Sequence, residues 1–395
     1  MSNEAGTIYR ERWHLPIIYA FSVVMILGLH SIYYPLHVVY ASGLPKHITV
    51  VANAGLAAIL LATITASQPR RLANSAFTLL LWLPFFTYLI IHYLLLPSPY
   101  SDAAKLEKIT ISFGLAAVLG GLLAADNKSA IRAVSFVSAP FVLFGAIALA
   151  RGDIALGTDT FQNIFSSLDN ERAPYQTINL FIGLFAVSIS ALFLDRSLLR
   201  IILVSAVISG CIFIQIVVGG RGAIVATVIA LLLTFLIRLG AWKSLLIATV
   251  GGIAAAFALM ALDIDLTRAT AIWRFEDVLI WDATDPSMRL SLWTEAVQMW
   301  LRHPLWGAGT DAFIASRGDQ IYVHNFILEI LAEYGLLGLV LFLAPFIILI
   351  ARRDRANAAN NHLIILSIFF VVCFAFSGEI KDLAPLVFTM ALVRA

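Results

Sequence analysis

Residues 289–309 read RLSLWTEAVQMWLRHPLWGAG, and residues 324–342 read HNFILEILAEYGLLGLVLF. The first stretch is polar and rich in tryptophan. The second opens on a lone histidine, His324, and turns at once into a long apolar run. A charged, aromatic segment therefore stands at the mouth of a hydrophobic span, and the remainder is read outward from it. Arg289, Trp293, Ala296 and Trp300 recur at i, i+4, i+7 and i+11, which predicts a helix with these four on one face. Asp285-Pro286 supplies its start, with aspartate as cap and proline in the first turn. His303-Pro304 and Gly307 stop it near Arg302.

Composition excludes a water-soluble domain. Of the 395 residues 61% are hydrophobic and 13% charged, against about 45–50% and 25% in soluble proteins. A net charge of +2 without a dense basic run excludes a nucleic-acid partner. Cys211 and Cys373 both lie in apolar runs, so disulfides do not organise the fold. The first apolar run, Leu15 to about Tyr34, is too long for a signal-peptide core and is read as a retained helix.

A bilayer core takes about 20 apolar residues per helix. That length predicts spans near 15–34, 48–66, 72–95, 107–125, 130–150, 176–194, 198–218, 222–238, 243–262, 324–350, 362–376 and a short one at 384–395. The expected fold is an all-α polytopic membrane protein of about 12 transmembrane helices. Helices 1–9 occupy 1–262, a large loop with amphipathic helices 263–323, and helices 10–12 residues 324–395. With the N-terminus cytoplasmic, the inside segments hold 14 of the 26 lysines and arginines and five of the 24 acids. Basic residues favour the cytoplasmic side, so the large loop falls outside the cytoplasm, where ATP is not an energy source.

Five of the eight tryptophans (Trp273, Trp281, Trp293, Trp300, Trp306) fall in that loop. Tryptophan prefers the headgroup level, so the predicted helix lies along the membrane boundary, the rings either anchoring it or contacting substrate. Arg221 stands in VVGGRGAIVA between two apolar runs. The neighbouring Gly219, Gly220 and Gly222 remove side-chain bulk and leave the backbone approachable. A fixed cation in such a turn suits a phosphate, or simply caps the turn. His324 has the pKa range to take a proton from a hydroxyl. Glu329 and Glu333, inside the following helix, need partners, which the loop arginines would supply. Asp263-Ile264-Asp265 is a weak metal-phosphate pattern or a polar helix end. Zinc-type His/Cys clusters, phosphate-binding P-loops and nucleophile elbows are absent from the sequence. With no internal repeat found, a secondary transporter is disfavoured.

GGRGA at 219–223, the 289–309 block and HNFILEILAEYGLLG at 324–338 resemble the bacterial O-antigen ligases. Their relatives, the O-antigen polymerases and pilin-glycosylating oligosaccharyltransferases, share these motifs. The resemblance implies a GT-C-like glycosyltransferase of the bacterial inner membrane, with its active site on the periplasmic face. It implies an undecaprenyl-diphosphate-linked glycan donor, a lipid A-core acceptor and surrounding membrane lipids as partners. No cofactor and no metal are implied, and the expected stereochemistry is inversion. Arg221, Arg289 and His324 take the positions of the family's essential arginines and histidine, although Arg268 or Arg274 could serve in place of Arg289. Arg172, Tyr175, Asn325 and Trp293 are further candidates for substrate contact. The chain lacks the added C-terminal sequence of the pilin-modifying enzymes, which favours ligase or polymerase, and ligase is preferred.

Overall fold

A computed structural model of the protein describes residues 22, 69–96, 103–124, 127–150, 175–193, 198–218, 220–242, 244, 289–318, 322–354 and 357–393. These residues form helices and helical turns, with no strand among them. In chain order the helices are α1 (Pro69–Leu95), α2 (Ala103–Leu123), α3 (Asn127–Ala150), α4 (Tyr175–Phe193), α5 (Leu198–Val218) and α6 (Arg221–Leu239). After them come α7 (Arg289–Arg302), α8 (Ala312–Arg317), α9 (Phe326–Arg352), α10 (Ala358–Ser377), a 3₁₀ turn (Ile380–Asp382) and α11 (Ala384–Ala391). Among the described residues, six stretches are long and apolar enough to cross a membrane: Pro69–Leu95, Lys105–Leu123, Leu199–Ile216, Arg221–Leu239, Phe326–Arg352 and Ala358–Phe376.

Helices therefore stand at most of the expected spans. Those at 15–34, 48–66 and 243–262 lie outside the described residues, as do 151–174 and 263–288. The last expected span differs from its prediction. Its helix, α11, has eight residues, about 12 Å at 1.5 Å per residue, which is too short to cross a core of about 30 Å. All eight residues are buried, and α11 packs on α2 and α10.

Two compact units make up the chain. One holds α4, α5, α6 and α3 from Ile131 onward; the other holds α1, α2, the start of α3 and everything from α7 to α11. In the first, α4 packs against both α5 and α6, and the rings of Phe141 and Phe181 stack at 4.2 Å between α3 and α4. In the second, an aromatic cluster joins three helices. Trp82 of α1 meets Phe113 of α2 at 5.5 Å and Phe342 and Phe346 of α9 at 5.8 and 5.3 Å, each edge-to-face. Such pairs add about 0.5–1.5 kcal/mol each beyond area burial.

Helix α9 is broken at Gly335, whose φ of 67° and ψ of −171° interrupt the helical path. The break strands backbone groups that an apolar medium cannot satisfy. The segment following α7 takes them up. Ala308 N–H donates to the Ala332 carbonyl at 2.9 Å and Gly309 N–H to Glu333 at 3.1 Å. Leu336 N–H donates to Pro304 at 2.9 Å and Leu337 N–H to Leu305 at 3.1 Å. The Tyr88 hydroxyl of α1 donates to the Tyr334 carbonyl at 2.6 Å and faces the Trp306 carbonyl at 3.2 Å. His92 Nε2 lies 2.7 Å from the same Trp306 oxygen.

This seam needs two glycines. A Cβ on Gly307 would fall 2.3 Å from the Glu333 backbone, and one on Gly335 would fall 2.4 Å from the Leu305 carbonyl oxygen. Gly307→Ala and Gly335→Ala should each lower stability by more than the roughly 1–3 kcal/mol of an unfavourable backbone region, because backbone must also move. Gly318 shares the positive φ, at 71°, but meets nothing within 4 Å, so Gly318→Ala should show the backbone cost alone. Apparent unfolding temperatures in detergent check the order; equal losses at 307, 335 and 318 would refute the seam.

Candidate functional site

Helix α7 positions the first candidate residues. It ends at Arg302, as the sequence predicts, while the expected start at Asp285-Pro286 lies outside the described residues. The buried residues of α7 are apolar, and one of them, Ala296, belongs to the stripe read from the sequence. Leu292 and Ala296, with Met299 and Trp293 beside them, pack on Phe313, Val323, Leu328 and Ala332. Trp300 donates its indole N–H to the Pro304 carbonyl at 3.0 Å. Apolar packing sets the orientation of the helix.

In that orientation Arg289 is half-buried, its Nη1 donating to the Phe376 carbonyl at 2.7 Å, at the end of α10. Trp293 donates its indole N–H to the Val323 carbonyl at 3.2 Å. It thus holds the backbone immediately before His324. The candidate histidine takes a left-handed φ of 58°, a conformation costing roughly 1–2 kcal/mol for a residue with a side chain. Its ring lies against Tyr322, centroids 3.9 Å apart. Asn325 caps α9, its side-chain oxygen accepting from Ile327 N–H at 3.0 Å and Leu328 N–H at 3.1 Å. The cap occupies that oxygen of the expected substrate contact.

One turn inside α9 lies a charge cluster. Lys105 Nζ stands 2.7 Å from Glu329 Oε1, 2.8 Å from Glu333 Oε2 and 3.1 Å from Asp311 Oδ1. The four side chains are 1–7% exposed. Among the described residues, a lysine from α2 rather than an arginine of the loop is the ion-pair partner of Glu329 and Glu333. Their i, i+4 spacing puts both carboxylates on one face, and the Lys105 stem, two residues into α2, reaches it. The other Glu329 oxygen, Oε2, accepts the Ile380 N–H at 2.9 Å. In the turn so held, Glu379 pairs with Lys381 at 2.5 Å, and Lys108 of α2 meets Asp382 at 3.4 Å.

Burial, assisted by the Glu329 charge, pushes the Glu379 carboxyl up to about 7, with Lys381 pulling the other way. Burial also raises the Tyr322 phenol above its ordinary range, and Glu379 and Asp382 add to this while Arg289 opposes it. Arg289, Tyr322, Glu379 and Asp382 thus share one electrostatic neighbourhood beside His324.

Arg221 belongs to the other unit. It is the first residue of α6, where helix N–H groups lack helical acceptors and the macrodipole favours an anion. The reason for Gly220 differs from the expected one. A Cβ there would lie 2.3 Å from Asn179 Nδ2, so the space is filled by Asn179 of α4. Asn179 and Gln215 of α5 exchange side-chain-to-backbone hydrogen bonds at 3.3 and 2.8 Å, and Gln215 Nε2 also reaches Thr227 of α6 at 3.1 Å. This buried set joins three helices beneath Arg221.

Arg172, Arg268 and Arg274, with Asp263-Ile264-Asp265, lie outside the described residues. Tyr175 opens α4, but its side chain lies outside them. Among the described residues no group of three or more His, Cys, Asp or Glu is placed to hold a metal ion; the three clustered carboxylates close on an ammonium instead. Cys211 and Cys373 are buried and not joined in a disulfide. Sequence reading missed Lys105, Asp311, Tyr322 and Glu379. The lysines at the edge of an apolar run, Lys105 and Lys108 in SDAAKLEKIT at 101–110, were the available signal for the first.

The arrangement is a helical membrane-type scaffold with charged groups gathered at one end of a spanning helix. Residues 204–343 match the family model described as O-antigen ligase. This match, over about a third of the chain, runs from α5 through Arg221, Arg289 and His324 into α9, so that stretch is similar to the O-antigen ligase family. No curated protein matches the chain.

For Glu379 the sign of the pH dependence follows from its raised pKa. A carboxyl moved from 4.5 to about 7 contributes stability that is complete below about pH 4.5 and lost as pH rises through about 7. At about 1.4 kcal/mol per unit, that loss is on the order of 3 kcal/mol. Wild-type protein should therefore lose apparent stability between pH 4.5 and 7.5, whereas Glu379→Gln, neutral throughout, should lose less. Parallel unfolding-temperature profiles for the two proteins would contradict the assignment.

Proposed function

We propose that the protein is a lipopolysaccharide O-antigen ligase of the bacterial inner membrane. In this reading it is a glycosyltransferase that moves a glycan from undecaprenyl diphosphate to a sugar hydroxyl of lipid A-core. The N-terminus is cytoplasmic and the reaction occurs on the periplasmic face, where the positive-inside count puts the 263–323 loop. The observation that carries the reading is that one family match spans Arg221, Arg289 and His324 together.

In the proposed mechanism the donor enters from the outer leaflet with its diphosphate against Arg221 and Arg289. Charge grows on the departing diphosphate, and each guanidinium contributes about 1.5–3 kcal/mol through charge-assisted hydrogen bonds. His324 accepts the proton of the acceptor hydroxyl as that oxygen attacks the anomeric carbon from the opposite face. The displacement is a single inverting step that needs neither metal nor nucleotide. Arg268, Arg274, Arg172, Tyr175, Asn325 and Trp293 remain assigned to contacts with glycan, diphosphate or acceptor. For Asn325 the side-chain nitrogen is the group available, since the oxygen caps α9.

Polymerase and protein oligosaccharyltransferase activities use the same donor chemistry and are the first alternatives. The break of α9 at Gly335 beside buried charge favours a second class, a transporter of lipid-linked glycans, because such proteins place charges on discontinuous helices.

Purified protein should be reconstituted with undecaprenyl-diphosphate glycan and lipid A-core, without ATP or divalent metal. Slower-migrating lipopolysaccharide, abolished in His324→Ala, is the expected product. Arg221→Ala and Arg289→Ala should each lose roughly 10²-fold in rate, as for a lost transition-state donor. Arg→Lys should rescue poorly if the contact is bidentate. A lengthened donor with unmodified core would identify a polymerase. Folded protein yielding neither product would favour the transporter, and normal turnover in both arginine variants would remove the mechanism.

A further inference from the structure

The Lys105 cluster has no part in the mechanism above, yet its geometry reaches the proposed phosphate ligand. Three buried carboxylates from two segments converge on one ammonium within 3.1 Å. One of them, Glu329, uses both oxygens: Oε1 on Lys105 and Oε2 on the Ile380 N–H. Ile380 opens the 3₁₀ turn that follows α10. The same junction presents the Phe376 carbonyl to Arg289 at 2.7 Å, and the Gly378 N–H closes α10 on Phe374 at 3.0 Å. Lys105, Glu329, Ile380, Phe376 and Arg289 thus form a chain of contacts in which each member is held by the previous one or by the short segment between. Lys108 on the next turn of α2 reaches the same 3₁₀ turn through Asp382.

We propose that Lys105 is a positioning residue for Arg289, acting through Glu329 and the 378–382 turn. The proposal rests on the assignment of Arg289 to the donor diphosphate. Without the ammonium, Glu329 would face Glu333 and Asp311 with no cation between them, and buried like charges at that spacing repel or are neutralised by a proton, either of which changes how the carboxylate is held. Glu329 would then leave the Ile380 N–H, the turn would loosen, and the carbonyl that orients the Arg289 guanidinium would shift. A displacement near 1 Å at a group that holds the reacting substrate can cost about 10²-fold in rate. Lys105 does not touch substrate, so its loss should appear only while Arg289 is present.

A double-mutant cycle on the reconstituted full chain tests this. Lys105→Met should lower turnover at least tenfold, Arg289→Ala about a hundredfold, and the double variant should lie within threefold of Arg289→Ala alone. Multiplying effects, giving a double variant near a thousandfold down, would overturn the proposal, since residues acting independently combine that way. If Lys105→Met does not fold, Lys105→Gln, which keeps length and hydrogen bonding without the charge, replaces it in the cycle. A second readout needs no activity. Hydrogen exchange over 378–383 should quicken at least tenfold in the lysine variant while α1 keeps its protection; unchanged exchange in that turn would also overturn it. If Arg289→Ala turns over normally, the functional reading fails, and the exchange experiment still decides whether Lys105 holds the turn.

Discussion

Peptide groups cannot go unpaired in an apolar medium, and the break at Gly335 makes that constraint local. An unsatisfied group in hydrocarbon costs several kcal/mol. A spanning helix that stops and restarts must therefore borrow partners from another segment. Here the partner is the backbone of 304–309, bonded on both sides of the break. Because the pairing is main chain to main chain, it constrains conformation more than side-chain identity, except where two backbones touch. There it demands Gly307 and Gly335, at positive φ, with no room for a Cβ. The two motif blocks, 289–309 and 324–342, are thus two halves of one structural unit. Its surroundings follow: α7 is docked by its own continuation, Tyr88 and His92 of α1 close the seam, and His324 and Asn325 begin the shorter half of α9.

The electrostatics are arranged on the same half-helix. Placing Glu329 and Glu333 in a buried segment is expensive unless each finds a cation. One lysine serves both, together with Asp311 from the start of α8. A single cation among three carboxylates does not cancel their charge. The cluster nonetheless ties α2, the α7–α8 connection and α9 at one end of the bundle. At the opposite end of α2 and α9 two contacts are of other kinds. Asn127 pairs with Asn360, and Arg352 lies over the Phe77 ring at 4.8 Å. The Lys105 cluster stands at the end where His324 and Arg289 stand.

Much of this architecture was legible from apolar run length, because a helix crossing hydrocarbon leaves a contiguous signal that tertiary context does not erase. The end of α7 was legible for a similar reason: proline and glycine act locally. The face that α7 buries was legible only in part, since Ala296 belongs to the stripe with Arg289, Trp293 and Trp300 but Leu292 does not. Only the shape of the neighbouring surface decides that. Lys105 was missed because its partners lie more than two hundred residues away, and pairing across that distance has no periodic signature. The short α11 was overread, since apolar composition reports burial as readily as membrane crossing; its eight residues are buried against protein.

The glycines around Arg221 illustrate how one residue type carries two unrelated constraints. A glycine beside a cation suggests a backbone left open for a ligand. Gly220 instead makes room for Asn179, whose amide belongs to a buried polar set shared by α4, α5 and α6. Asn179, Gln215 and Thr227 are all fully buried, so their hydrogen bonds fix the approach of the three helices rather than contact solvent or ligand from the surface. The start of α6 is therefore set by packing from beneath, and Arg221 inherits its place from that packing. A guanidinium held this way loses less freedom when it engages a ligand than one on a mobile loop. The same logic applies to Arg289, anchored on the Phe376 carbonyl.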